Sequence, residues 1–360
     1  RGTGCACQTF FEARDAARAR PAACPTFSRT SCFPSPEIDV GGEYRGGGCG
    51  TMLSCIPEYI AERMRLYYAR GLRGFYARHA VPTWPNREFQ DINETAFFRL
   101  AWKIDTDVDA IWNDWAGARF GEADAGMKQL LMMTDEVVNG SIYVRGVCAN
   151  RHYFVFCDNL DSLRYMMTDL SANMIEGGME RIEPTPENIR EIVAEKERAV
   201  EMAAEMLARF DRVSPLLAPD TRERLRRILL RTDRIAAVQR YAVEAIWNYF
   251  LYERTFSVRR RDAMRPEILR MINRAEQEID ASRTPFLEES GDEVFWGIRK
   301  SVDFDRAKRI LEEIRGLLNF RIMHKCDYSV SITPLTVGHP ATYYFHRRDL
   351  KEIFELPGPA

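Results

Sequence analysis

Pro36-Glu37-Ile38-Asp39-Val40-Gly41-Gly42-Glu43-Tyr44 is the stretch on which the reading of this chain turns. Ile38 and Val40 fall on one face of an extended run and Glu37 and Asp39 on the other, the period-two signature of a strand. Gly41 and Gly42 permit the tight turn that ends it and releases Glu43 into a loop. Residues 57–70 then read as a helix. Pro57 suits its first position, Ile60, Met64 and either Tyr67 or Tyr68 supply a buried stripe, and Gly71 closes it. Residues 72–77 read as a second strand. Strand, carboxylate-bearing loop, helix and strand in that order predict a βαβ unit with parallel strands and a right-handed crossover. Chemistry in such sheets sits at the carboxyl ends of the strands, which makes Glu43 the first candidate for a catalytic residue.

On the N-terminal side the texture is different. Residues 1–36 are rich in Arg, Ala, Cys, Pro and Thr and contain no Ile, Leu or Val. A segment without branched aliphatics buries too little apolar surface to offset its ordering entropy, so this leader reads as disordered or as an artefact. On the C-terminal side the pattern turns helical. Residues 79–91 read as a loop, 92–102 as a helix, and 108–120 as another that Gly121 ends. Thr185 reads as the cap of a long helix starting at Pro186, with Ile192, Ala199, Ala203, Met206 and Phe210 on its buried side. A longer helix starts at Pro219, where Asp220 and Glu223 resemble a capping box. Its stripe is Leu225, Ile228, Leu229, Ile235, Ala242 and Ile246. Two more amphipathic helices fall near 266–281 and 303–318, and residues 329–345 have the composition of a short extended element.

The chain has 360 residues, 46% hydrophobic and 29% charged, with a formal net charge of −2. That is enough for one large or two ordinary domains. No face-concentrated basic excess points to nucleic acid, and Arg259-Arg260-Arg261 reads as a solvated loop. No apolar run approaches the ~20 residues of a membrane span. The nine cysteines are odd in number, scattered and without a CxxC pair, which argues for free thiols and a cytoplasmic setting rather than disulfides or a zinc knuckle. The five histidines stand apart with no HExxH, so no metal is expected. Gly46-Gly47-Gly48 lacks a following GK[ST], no G-x-S-x-G elbow occurs, and no cofactor is expected.

Three segments carry a resemblance. Residues 37–46, Glu-Ile-Asp-Val-Gly-Gly-Glu-Tyr-Arg-Gly, resemble the E-F-Q-I-T-x-E-Y-x-G segment of the α-glucuronidase family. Phe89-Gln90-Asp91-Ile92-Asn93-Glu94-Thr95-Ala96-Phe97-Phe98-Arg99-Leu100-Ala101-Trp102 resembles its F-A-Q-A-N-W-Y-A-F-G-R-L-A-W. Asp114-Trp115 through Phe120-Gly121 is similar to its E-W-I-x-x-T-F-G. The order and approximate spacing agree over residues 36–125. The resemblance implies an α/β region turning to mostly α: residues 37–90 as the last strands of a (β/α)8 barrel, then a helical C-terminal domain over 91–360. It places Glu43 at the family's catalytic base, a glutamate that activates water in an inverting mechanism. Gly41-Gly42 and Arg45 depart from the family's pattern, and the family's general acid has no counterpart here, so the chain by itself is expected to be inactive.

Glycoside hydrolysis uses two carboxyl groups on opposite sides of the scissile bond, and the other candidates surround Glu43. Asp39 reads as either a barrel-interior polar residue or a ligand contact. Arg78 and His79 follow the second strand, where a barrel places substrate-binding groups. Trp84 is placed either to stack on a pyranose ring or to pack locally. His152 reads as structural, and Trp102, Trp112 and Trp115 read as core. The expected partner is an oligo- or polysaccharide substrate, with a homodimer through the helices as a further expectation. The rival reading is a non-catalytic helical assembly or carbohydrate-binding protein.

Overall fold

The computed structural model describes residues 37–40, 52–78, 87–147, 159–166, 178–290 and 302–319. The leader 1–36, His152 and the tail 329–345 lie outside them. Two strands, β1 (Glu37–Asp39) and β2 (Tyr76–Arg78), pair in parallel, with Ile38 opposite Ala77. Helix α1 (Pro57–Ala69) lies between them in sequence and buries Ile60, Met64 and Tyr67, while Tyr68 is exposed. It ends in a Schellman motif. Gly71, at φ +91°, donates its N–H to Tyr68 O (3.0 Å), and Leu72 donates to Tyr67 O (3.1 Å). Glycine takes this left-handed conformation without the steric cost a Cβ would bring.

From residue 87 every regular element described is helical. The first are α2 (Arg87–Trp102), α3 (Val108–Phe120), α4 (Asp124–Leu131) and α5 (Thr134–Ile142). The short α6 (Leu160–Met166) and α7 (Gly178–Ile182) come next, then the long α8 (Pro186–Val213), α9 (Pro219–Arg254) and α10 (Val258–Ser290), and last α11 (Phe304–Asn319). Thr185 caps α8 as its sequence predicts, its Oγ accepting from Asn188 N at 3.2 Å. Asp107 caps α3 through Asp109 N (3.1 Å). α9 packs between α8 and α10, α11 lies against α10 and α9, and α5 lies against α8 and α9. At the other end α1 packs on α2, α2 on α3 and α3 on α4. One connected apolar cluster runs from Ile38 to Leu318. Among the described residues no helix is long and apolar enough to cross a membrane.

The barrel reading is corrected by this architecture. The sheet described consists of two strands of three residues each, and after β2 the described residues form helices instead of continuing strand–helix alternation. The cause is legible in the apolar spacing, which recurs at three and four residues in α2, α3 and onward, a period that fits helices and not strands.

Smaller corrections follow the same logic. The second strand lies at Tyr76–Arg78, later than the expected 72–77. α2 begins at Arg87, inside the expected loop. Arg259-Arg260-Arg261 lies in the first turns of α10, not in a loop, because Ser257 caps that helix: its Oγ accepts from Arg260 N at 3.3 Å. The helix expected near 266–281 runs from Val258 to Ser290, with Pro266 inside it. Asp220 lies in the first turn of α9, whose N-cap Ala218 has no side-chain bond, so the capping box is not formed. Trp112 and Trp115 are core, whereas Trp102 is 94% exposed. At 100° per residue, Trp102 stands 200° round the helix from the buried Leu100.

Candidate functional site

The carboxyl ends of β1 and β2 meet side by side, because Asp39 is the register partner of Arg78. The structure thus brings two of the candidate positions together at the level of the backbone. Glu43, His79 and Trp84 lie outside the described residues. The described residues that flank the 41–51 segment are buried. Val40 is buried before it, and the whole run from Met52 to Ile56 is buried after it.

That second anchor is pinned by side chains from the Phe89–Asn93 motif. Asn93, fully buried, accepts from Ile56 N (2.7 Å) and donates to Ser54 O (2.9 Å). Gln90 Nε2 also donates to Ser54 O (3.2 Å), and Cys55 N donates to Thr134 Oγ1 (2.9 Å). Four polar bonds therefore replace, for a run with no strand partner, the pairing a sheet would supply, as buried backbone groups require. The second of the resembling segments thus holds the chain at residues 54–56, beyond the end of the first. Cys55 lies in this anchor, and burial pushes its thiol well above the ordinary range. Asp91 accepts from Trp115 Nε1 (3.0 Å) and faces Arg119 (3.5 Å). Its carboxyl is raised by burial, against the lowering pull of Arg119 and the Trp115 bond.

A second constellation lies between α5 and α8, and the sequence reading missed it. Residues 144–147 form a tight turn in which Val144 and Val147 bond each other's backbone (3.1 and 2.9 Å). Arg145 at φ +50° and Gly146 at φ +75° both occupy the left-handed region, a strained conformation for arginine that persists only where its surroundings impose it. Glu195 imposes it, accepting the Arg145 N–H on both carboxylate oxygens (3.1 and 2.9 Å). The Arg145 guanidinium reaches Asn188 (3.1 Å) and Glu191 (2.5 Å).

The next residue on α8, Lys196, is 1% exposed. Its ammonium donates to Gly140 O (2.7 Å), to Tyr143 O and to Glu195 (3.0 Å). It thereby satisfies carbonyls at the C-terminal end of α5 that have no helical partner. Burial lowers its pKa, and Glu195 opposes that shift. A signal for this site did exist in the sequence: Lys196 sits between Ile192 and Ala199 at i+4 and i+7, in the buried register of α8.

The turn forms one edge of a cleft of about 190 Å³ lined by Glu136, Asn139 and Gly140 of α5, by Gly146, and by residues of α8 including Arg198 and Met202. Glu136 and Arg198 form an ion pair at its rim (2.7 Å). Among the described residues no group of three or more His, Cys, Asp or Glu side chains is placed to hold a metal ion.

Comparison with known proteins returns no matching family and no matching curated protein. Among solved structures, a GH138 enzyme targeting pectin rhamnogalacturonan II superposes with a TM-score of 0.52 at 11% identity, over 74% of this chain and 45% of that one. The likeness is one of fold. The chain spans less than half the length of that enzyme.

Proposed function

We propose that the chain belongs to a carbohydrate-active hydrolase that cleaves glycosidic bonds with carboxylate catalysis, α-glucuronidase-like in its chemistry, and that Glu43 is the carboxylate that activates water. The observation that carries this reading is the fold likeness to a glycoside hydrolase over 74% of the chain. Its place in the chain supports it: in sequence Glu43 follows, across Gly41 and Gly42, the buried Val40 that comes directly after a strand of a parallel pair. Asp39, Arg78, His79 and Trp84 form the substrate side in this proposal. Arg78 and His79 supply positive charge for a uronate carboxylate, and Trp84 supplies a ring face for the sugar. The general acid is assigned to no described residue.

Because no general acid is assigned, the test is hydrolysis of a panel of dinitrophenyl glycosides and uronides, whose leaving groups depart without protonation, by the protein and by Glu43→Gln, a substitution that keeps shape and hydrogen bonding while removing charge. Loss of a general base costs about 10²–10⁴ in rate. Near-normal turnover by Glu43→Gln on the best substrate refutes the assignment. A second reading, a non-catalytic carbohydrate-binding helical module, is favoured by the helical make-up of everything described after β2. Saccharide binding with no turnover on any member of the panel would select it.

A further inference from the structure

We propose, resting on the reading of the chain as carbohydrate-active, that the cleft between α5 and α8 is a binding site for a single neutral pyranose unit, built from none of the residues assigned to catalysis. The walls are fixed before any ligand arrives. Gly140 lies so close to α8 that a Cβ there would meet the Ala199 Cβ at 3.0 Å, and Lys196 ties Gly140 O and Tyr143 O to the same helix. Glu195 holds the strained Arg145 N–H, which sets Gly146 at the cleft edge. A Cβ on Gly146 would meet nothing within 4 Å, so that edge opens to free space. Backbone strain held by Glu195, beside a cleft whose walls are tied by Lys196 and by close packing at Gly140, is the arrangement expected where a surface is kept ready for a ligand.

Size and chemistry narrow the ligand. A volume of about 190 Å³ falls below the ~300–1,000 Å³ of sites for drug-sized molecules and suits one six-membered sugar ring. Ala199 and Met202 supply an apolar floor for the C–H face of that ring. Asn139 uses its amide nitrogen on Asp135 (3.0 Å), which leaves its carbonyl oxygen as an acceptor for a hydroxyl. Glu136 and Arg198, opposite in charge, offer an acceptor and a fork of donors at the rim, a pairing that matches neighbouring hydroxyls. Glu136 and Glu195 line the cleft, and each is already paired with a cation, Arg198 at the rim and the buried Lys196. The balance selects a neutral ligand over a uronate or an amine.

The experiment is saturation-transfer NMR and calorimetry on the whole chain with methyl glycosides of rhamnose, galactose, arabinose and glucose, and with glucuronate and galacturonate as charged controls. The expected result is millimolar binding of at least one neutral glycoside. Asn139→Ala should weaken it about fivefold, the worth of one neutral hydrogen bond. Met202→Trp, which fills the floor from a partly exposed position, should abolish it. Glu43→Gln should leave it unchanged, so failure of the catalytic proposal and failure of this one read out separately. Absence of binding to every neutral glycoside up to about 50 mM, far above the millimolar range of weak specific sites, overturns the proposal. So does binding that survives Met202→Trp, or binding confined to the uronates. Circular dichroism of both variants separates loss of the site from loss of the fold.

Discussion

Lys196→Met is the sharpest perturbation of the helical core. The lysine is 1% exposed and its ammonium bonds Gly140 O, Tyr143 O and Glu195. Methionine matches the stem in length and apolar character, so packing is largely kept while the donors vanish. Each buried carbonyl left without a donor costs about 1–3 kcal/mol. Glu195 is partly exposed and retains the Arg145 N–H, so it adds little. Against this stands the burial of a charge, whose cost shows in the lowered lysine pKa; methionine removes that cost. The net expected destabilisation is about 2–4 kcal/mol, read by urea unfolding.

The pH dependence has a definite sign. A lysine whose pKa in the folded state lies below its unfolded value of about 10.4 binds more protons unfolded than folded between the two values. Stability therefore rises with pH across that interval. The penalty is fully present below the folded pKa and is relieved as pH approaches the unfolded one. The wild-type protein should gain stability relative to Lys196→Met as pH rises through this window, and the variant should show faster amide exchange at 143–147. A loss below about 0.5 kcal/mol, the range of ordinary surface substitutions, together with unchanged exchange in the turn, refutes the assignment of Lys196 as the cation that holds it.

Two further perturbations probe the packing that supports the sites. Asn93→Leu removes both bonds to the 52–56 run, Ile56 N at 2.7 Å and Ser54 O at 2.9 Å, and should cost about 2–4 kcal/mol by urea denaturation; a loss under 1 kcal/mol would show that the run is held by its apolar contacts alone. Gly126→Ala places a Cβ 2.3 Å from Val213 Cγ1, an overlap expected to cost about 1–3 kcal/mol, and Val213→Ala should recover most of that loss in the double variant if the clash is the cause.

Much of the fold was legible because the helices announce themselves locally. Thr185-Pro186, Asp107 and Gly121 are end signals that act through backbone bonds within one turn, and stripes such as Leu225, Ile228, Leu229 and Ile235 need no knowledge of the partner helix. The barrel was misread because a parallel strand pair has no local signature of how many further strands join it. Ile38 and Val40 face a core whether the sheet holds two strands or eight, and only the helical spacing after residue 87 decides the matter. Trp102 failed for a geometric reason: a helix end displays a side chain according to rotation, and an aromatic beside the buried Leu100 in sequence stands on the far side in space.

The α5–α8 site was hidden by the habit of reading lysine as solvated. Lys196 occupies the same face as Ile192 and Ala199, and a cation in that register demands a buried acceptor. The acceptors are carbonyls at the end of another helix more than fifty residues earlier, which no periodicity along α8 reveals. Arg145-Gly146 carried the complementary hint, since a glycine after an arginine permits a left-handed turn but does not compel one. It is Glu195, bonded to the arginine's own N–H, that compels it. Adjacent residues on one helix, an acid that takes an amide hydrogen and a base that gives hydrogens to carbonyls, thus fix a turn from both of its polar sides. Glu195 reads in sequence as an ordinary surface charge and Lys196 only as a cation in a buried register; the pair acquires meaning from the position of the chain it grips.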